Sequence, residues 1–313
     1  MTVDVLTPRP LGRTGRYVTA VCVGTGEIGD MSVYGGSVPE ERALATARRA
    51  FAGPLNFVDT SNGYGVSEQR IGIVLRQIGG LPVGALLGTK VDPVDGGPFD
   101  GARVRASVKE SMERLGLDHL ALLHLHDPER ISFAEAMAPD GPVVAMRELV
   151  TEGLVDHLGV AGGPVELLRR FVATGFFQVV LTHNRWTLLD QSAGPLLDDC
   201  AAAAVAVLNG APFGGGMLVK GPAQVPKYCY RQAPPALVSA ALAMQAACDR
   251  HGVPLGAVAL QYSLKETRIT STVVGMSRPE RYDETLALAA SAVPDELWAE
   301  IDQLAPGPGN WLR

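Results

Sequence analysis

Four polar residues follow one another in the first half of the chain, each at or just past the end of an apolar run. Asp59 closes NFVD, Tyr64 comes five residues later, Lys90 closes GALLGTK and His126 closes LALLHLH. A carboxylate, a phenol, an amine and an imidazole can move a proton in step with a hydride, provided that they meet. A phenol ionises near ~10 and is a poor acid or base at neutral pH, but an adjacent ammonium favours its ionised form and brings it towards working range. A lysine at a strand end must bury its stem and needs a partner, a role that Asp59 suits. Each residue also has a plainer reading: Asp59 as the cap of the following turn, Tyr64 as a turn tyrosine between Gly63 and Gly65, and His124 as a satisfied polar residue one layer below His126. The H-x-H pair raises a further alternative, a metal-dependent hydrolase using His124, His126, His157 or His183 with a carboxylate. In such barrels the pair usually ends the first strand, whereas here that strand ends VCVGTGE, so no metal is expected.

The elements that must bring these residues together are short Val-, Leu- and Ile-rich runs separated by longer amphipathic stretches. Strands are predicted near Val18–Gly24, Asn56–Asp59, Ala85–Lys90, Leu120–His126, His157–Ala161, Gln178–Leu181, Ala204–Asn209 and Ser271–Gly275. Pro39–Ala52 opens with a proline and two glutamates, and Asp100–Leu115 places apolar residues at three- and four-residue steps, so both read as helices. Eight repeats without a dividing linker predict an α/β fold, a (β/α)8 TIM barrel forming a single domain over residues 1–313. In that fold the C-terminal ends of the strands share one mouth. Pro8–Tyr17 reads as an N-terminal β-hairpin plug over the barrel's bottom, and the Gly- and Pro-rich stretch Gly210–Pro235 as a lid or substrate loop. The tail Pro306–Arg313 has two readings, a flap that brings Trp311 over the mouth or a frayed terminus.

Composition narrows the classes. The chain has 313 residues, 47% of them hydrophobic, enough for one large core; 27 basic against 33 acidic residues give a net charge of −6 with no basic block, so a nucleic-acid partner is not expected. Cys22, Cys200, Cys229 and Cys248 are scattered with no C-x-x-C, which argues against a disulfide framework or structural zinc and for a reducing cytoplasm. No signal-like N-terminus and no long charge-free apolar run occurs, so neither secretion nor membrane spanning is indicated. No heptad or apolar stripe defines an oligomeric state.

Taken in order, these residues resemble the aldo-keto reductase superfamily. Its Asp-x4-Tyr-x3-Glu pattern is matched by Asp59, Tyr64 and Glu68, its Thr-Lys by Thr89–Lys90, and its fourth-strand histidine, followed closely by proline, by His126 and Pro128, after an opening LGRTGRYVTAVCVGTG. The resemblance implies that Tyr64 is the general acid/base, Lys90 lowers its pKa, Asp59 holds Lys90, and His126 orients the substrate oxygen. It also implies a bound NAD or NADP across the barrel top. Contacts would come from Gly24, Thr25 and Gly26 after the first strand, and from Asn209, Ala211, Pro212, Phe213, Gly216 and Leu218 around the seventh. Gly275, Met276, Ser277, Arg281, Glu284 and Thr285 would follow at the eighth. No G-x-G-x-x-G follows a strand, which fits a nicotinamide enzyme that is not Rossmann-type.

Departures from the family pattern bear on the cofactor. Gly275 stands where NADP-specific relatives often carry lysine, Met276 where they carry serine and Thr285 where they carry asparagine, so NAD use becomes credible although Arg281 can still pair with a 2′-phosphate. Ala161 and Gly162 occupy the Ser-Asn carboxamide contacts, Leu181 falls near the glutamine and Gly210 near the ring-stacking tyrosine; Asn209, His183 or backbone groups are the replacements the sequence offers. The block at 184–191 and His126–Pro128 look most like the branch holding L-fucose, D-threo-aldose and L-galactose dehydrogenases and pyridoxal 4-dehydrogenase. The resemblance therefore implies an oxidoreductase that converts an aldose at C1 to a lactone. The alternatives are a broad NADPH-dependent aldehyde or ketone reductase, a pyridoxal 4-dehydrogenase and, more remotely, a non-catalytic cofactor-binding regulatory subunit. Substrate contacts are expected from Tyr34, Trp186 and the region of Tyr228.

Overall fold

The computed structural model describes residues 4–34, 36–94 and 96–312. Eight parallel strands close into one barrel: Val21–Gly24, Phe57–Asp59, Leu86–Val91, Leu120–His126, Val155–Gly162, Val179–His183, Ala206–Gly210 and Ser271–Gly275, the last pairing with both the first and the seventh. Every predicted strand is present, and the fifth is longer than the sequence pattern suggests because Asp156 and His157 are only half-buried and separate Val155 from the apolar run that starts at Leu158. Helices cover the outside. The helix Gly101–Leu115 starts where the Asp100 side chain accepts from the Arg103 N–H, and it stops at Gly116, whose positive φ of 70° suits a residue without a Cβ.

Alternation along the strands sorts side chains into two cores. Cys22, Phe57, Leu86, Leu122, Val179, Leu208 and Val273 fill the barrel, while a larger apolar layer lies between the strands and the helices. At the barrel's bottom, Arg9–Pro10 and Tyr17–Val18 pair as the expected hairpin. It inserts Leu11, wholly buried, into the barrel interior. Gly12 follows with a φ of 54°, and a Cβ there would lie 2.7 Å from the Ala206 nitrogen. Arg13 fastens the hairpin from outside by donating to the carbonyls of Gly175 and Phe177.

The long connection after the seventh strand is more structured than a loop. It holds a 3-10 turn at Gly214–Gly216, a short helix Met217–Lys220 and a hairpin pairing Lys227–Tyr228 with Arg231–Gln232. The tail is docked: Trp311 Nε1 donates to the Pro306 carbonyl at 2.9 Å, and the Leu312 N–H donates to Asp190 Oδ2 at 2.6 Å, in the loop after the sixth strand. Its last residue, Arg313, lies outside the described residues. Among the described residues no helix is long and apolar enough to cross a membrane.

Shortening the plug tests its contribution. Leu11→Ala is expected to lower the unfolding free energy by about 2–5 kcal/mol, measured by urea denaturation. A loss within about 0.5 kcal/mol would mean that the hairpin is not part of the core.

Candidate active site

The mouth is built by strand ends in register. Gly24 pairs with Asp59, Asp59 with Gly88, Lys90 with His124, and His126 with Ala161. Lys90 and Asp59 are almost fully buried, and Lys90 Nζ lies 2.7 Å from Asp59 Oδ2 while donating to the Thr60 carbonyl at 2.6 Å. This pair is closed off from water, so each charge depends on the other. Asp59 Oδ1 has no hydrogen-bond partner among the described residues.

Tyr64 reaches the same point from the loop after the second strand. The loop is pressed backbone to backbone against Gly29: a Cβ at Gly65 would fall 2.1 Å from the Gly29 oxygen, and one at Gly29 would fall 2.1 Å from the Tyr64 oxygen. The loop then runs into the helix Ser67–Ile78. There Glu68, wholly buried, accepts from Thr89 Oγ1 at 2.7 Å and pairs with Arg114 at 3.3 Å, tying helix to third strand next to Lys90. Burial holds the Glu68 carboxyl above its usual range despite those bonds. The outcome is that Lys90 Nζ lies 4.5 Å from the centre of the Tyr64 ring.

His126 presents its ring edge-on to Tyr64, with centroids 5.7 Å apart and planes at 80°. Its Nδ1 is 2.6 Å from Asp92 Oδ1 and 3.2 Å from Ser61 Oγ. Asp92, itself buried, also accepts from the Gly63 N–H at 2.8 Å and from the Ser61 hydroxyl. Burial disfavours the Asp92 carboxylate, but His126, Ser61 and Gly63 outweigh it and bring its pKa down to about 2. Burial likewise opposes the His126 cation, and Asp92 with Asp127 overturns that and leaves its pKa above the ordinary value. Neither Asp92 nor Ser61 was singled out from the sequence. The signal available was Asp92's position two residues past Lys90, which puts both on one side of the chain.

The remaining histidines are dispersed. His124 is fully buried one layer below, against the bare backbone of Gly159, where a Cβ would lie 2.2 Å from its Nδ1; burial and Lys90 push its pKa well down. His183 stands at the sixth strand's end with its pKa lowered to about 4 by burial. Among the described residues no group of three His, Cys, Asp or Glu side chains is placed to hold a metal ion.

The rim beside these groups is bare backbone. A Cβ at Gly24 would lie 3.0 Å from Val273 Cγ1, one at Gly210 would lie 3.3 Å from His183 Cβ, and one at Gly162 would lie 2.9 Å from Glu129 Oε2. Strand ends stripped in this way let a flat ring approach the main chain. Beyond the eighth strand, Ser277 leads into the helix Glu280–Ala290, where Arg278 is paired with Glu284 through two contacts of 2.7 Å. Arg281 lies 3.6 Å from Glu284 and 5.4 Å from the Phe213 ring centre. Two guanidinium groups at a helix N-terminus suit phosphate, so the residues present fit a nicotinamide dinucleotide.

Several residues named from the sequence sit elsewhere than its pattern suggests. Asn209 alternates with the inward-facing Leu208 and Gly210, so it points into the helix layer, and its amide donates to the Trp186 carbonyl and to Ser263 Oγ, both at 2.8 Å. At the strand ends beside Gly162 and Gly163 the polar side chains are those of Glu129 and His183. Trp186 also lies outside the barrel, stacked on Tyr262 at 5.9 Å with Arg268 over its ring at 5.4 Å. Tyr228 is buried, and its hydroxyl is 2.8 Å from Thr187 Oγ1 while donating to the Asn184 carbonyl at 2.8 Å; it pins the long connection to the sixth-strand loop. The Tyr34 side chain lies outside the described residues. Thr25 is buried, with its hydroxyl donating to the Asp59 carbonyl at 2.9 Å, and Gly26 opens the 3-10 turn that follows. Leu218 and Met276 are core residues, so they offer a ligand only backbone. Thr285 donates to the Arg281 carbonyl at 2.7 Å. Ala211, Pro212, Phe213 and Gly216 line the turn after the seventh strand, and Gly275 lies under Glu27, whose Oε1 would be 2.8 Å from a Cβ there.

A model of the aldo/keto reductase family matches residues 20–306. L-galactose dehydrogenase of Arabidopsis thaliana is 33% identical over 95% of this chain and 93% of its own, and D-threo-aldose 1-dehydrogenase of a Pseudomonas species is 31% identical over 94% and 97%. Pyridoxal 4-dehydrogenase of Microbacterium luteolum is 26% identical over 94% of this chain and 96% of its own. A solved Pseudomonas aeruginosa structure assigned to the aldo-keto reductases covers 93% of this chain and 98% of its own with a TM-score of 0.67 and 22% identity, a likeness of fold.

The buried pair makes a stability prediction. Lys90→Met alone leaves the Asp59 carboxylate uncompensated and is expected to cost about 3–5 kcal/mol, whereas the double variant Asp59→Asn/Lys90→Met recovers part of that loss. Chemical denaturation of the two single variants and the double variant checks it; strictly additive losses would show that the two side chains do not depend on each other.

Proposed function

This chain belongs to the aldo/keto reductase family, and from that premise we propose that it oxidises a small sugar or similar hemiacetal at C1 to the lactone, with Tyr64 carrying the proton. In coarser terms it is an NAD(P)-dependent oxidoreductase acting on CH–OH or carbonyl groups. The observation that carries the reading is the convergence at the mouth: the Lys90 ammonium 4.5 Å from the Tyr64 ring, held by Asp59 at 2.7 Å, with His126 edge-on to the same ring.

Each side chain then has a task. The Lys90 ammonium stabilises a phenolate at Tyr64, so the tyrosine can act near neutral pH. In oxidation Tyr64 Oη accepts the substrate hydroxyl proton as the carbonyl forms; in reduction it returns that proton to the carbonyl oxygen. His126 turns Nε2 towards the mouth, because Nδ1 is engaged by Asp92, and there it holds the reacting oxygen. A nicotinamide dinucleotide, when bound, would supply the hydride chemistry that this proton transfer accompanies. Ser277, Arg278 and Arg281 would hold its phosphates, and the bare main chain at Gly24, Gly162 and Gly210 would leave room for its ring.

Substrate and nucleotide are argued from likeness. Two relatives that share most of this chain's length are named for aldose and L-galactose oxidation, which favours a sugar, and the pyridoxal relative adds a second hemiacetal to test. Arg281 keeps a cation near the adenosine end while Gly275 supplies none, so both nucleotides are to be assayed. The four cysteines are free, in keeping with a reducing cytoplasm.

Purified protein incubated with NAD⁺ or NADP⁺ and a panel of aldoses and pyridoxal is expected to form reduced cofactor, read by its absorbance. A matching panel of aldehydes with NADPH separates the broad reductase. Tyr64→Phe should lower kcat by at least about 10²-fold while cofactor binding, followed by fluorescence, persists; a variant at wild-type rate removes Tyr64 from the mechanism. Arg281→Ala should weaken NADP⁺ more than NAD⁺, by about tenfold, and equal weakening of the two would place Arg281 away from a 2′-phosphate.

A further inference from the structure

The hydrogen bonds around His126 assign a task to a residue that the tetrad does not contain. We propose that Asp92 is a positioning residue for the reaction: its carboxylate accepts the Nδ1–H of His126, holds Nε2 towards the substrate oxygen, and balances the charge of the ring as it donates there. This rests on the role given above to His126.

The Asp92 carboxylate joins His126 to the loop that carries Tyr64. It lies just past the end of the third strand, 4% exposed, and the groups on its two oxygens are the His126 ring at 2.6 Å, the Gly63 N–H at 2.8 Å and the Ser61 hydroxyl. The last two belong to the loop that carries Tyr64, so one carboxylate fixes both the imidazole and the backbone beside the phenol. A Cβ at Gly63 would fall 2.7 Å from Asp92 Cγ, so only glycine lets the loop come this close. Arg103 donates from Nε to the Asp92 carbonyl at 2.8 Å and pairs its guanidinium with Glu110, leaving the carboxylate to His126.

The surroundings of His126 define what removing Asp92 would do. Asp127, at 3.7 Å from Nε2, supports the cation, and Glu129 is near it; His124 lies two residues back on the same strand, Lys90 on the neighbouring strand and His183 at the end of the sixth, and the Tyr64 ring packs against the imidazole. Burial opposes the cation and Asp92 is its principal support. With that support His126 stays protonated above the ordinary histidine value, and its donor is lost as pH rises through the raised pKa. Without it, Asp127 alone opposes burial and Lys90, and the transition moves down.

The test is Asp92→Asn, which keeps the size and an acceptor oxygen but removes the charge, with Asp92→Ala removing both. Imidazole NMR of the full chain, with the His126 signal assigned by its disappearance in His126→Gln, is expected to show a midpoint above ~6.5 in the wild type and one lower by about one pH unit or more in Asp92→Asn. In turnover with NAD(P)⁺ and the best aldose, Asp92→Asn should move the pH limb of kcat/KM in the same direction. Asp92→Ala should lower kcat on the order of 10²-fold with cofactor affinity kept. An unmoved His126 midpoint, or an unmoved pH limb in an active variant, overturns the proposal. If Asp92→Ala does not fold, Asp92→Asn decides alone. If no substrate is turned over, the proposed reaction fails, whereas the midpoint still decides whether Asp92 controls His126.

Discussion

The structure around the mouth depends on a buried ion pair. Lys90 and Asp59 come from neighbouring strands and meet where water is excluded, so neither charge is tolerable without the other. Holding them at 2.7 Å demands a closed ring of strands in fixed register, because a slip by one residue would turn one of them into the helix layer. The remainder of the site is arranged about this point. Thr60 gives Lys90 a carbonyl, Thr89 anchors Glu68 beside it, and the loop that starts at Thr60 carries Tyr64 over the ammonium.

A second ionic contact, Asp92 with His126, stands beside the first and follows the same logic. In both, burial makes an isolated charge costly and a close partner of opposite sign offsets that cost. The two pairs share the Tyr64 loop: Thr60 caps the ammonium, while Ser61 and Gly63 bond the Asp92 carboxylate. The position of the Tyr64 loop is thereby set by the backbone and hydroxyls of its neighbours. Glycine allows this crowding, since Gly29, Gly63 and Gly65 each sit where a Cβ would strike a neighbour.

Legibility differed between the two sides of the strands. Inward positions were readable as far as Asp59, Lys90 and His126 because each is a polar residue ending an apolar run, a pattern with few plain explanations in a barrel. Asp92 had the same signal and went unread because it follows the apolar run rather than ending it. Trp186, Tyr228 and Asn209 misled for one common reason: aromatic and amide side chains after a strand serve packing as readily as ligands. Here Asn209 meets Ser263, Trp186 stacks on Tyr262, and Tyr228 ties down a loop.

By itself the sequence determined the eight-fold alternation of strand and helix, the plug and the order of the four reactive side chains, because period, turn chemistry and the polarity of a run's last residue are local properties of the chain. It also carried the family likeness. The tertiary structure alone decided which groups touch: that Lys90 faces both Asp59 and the Tyr64 ring, that His126 is governed by Asp92, and that Asn209 turns away. Those outcomes depend on distances between residues tens of positions apart, and only the closed barrel and the backbone contacts of its loops set them.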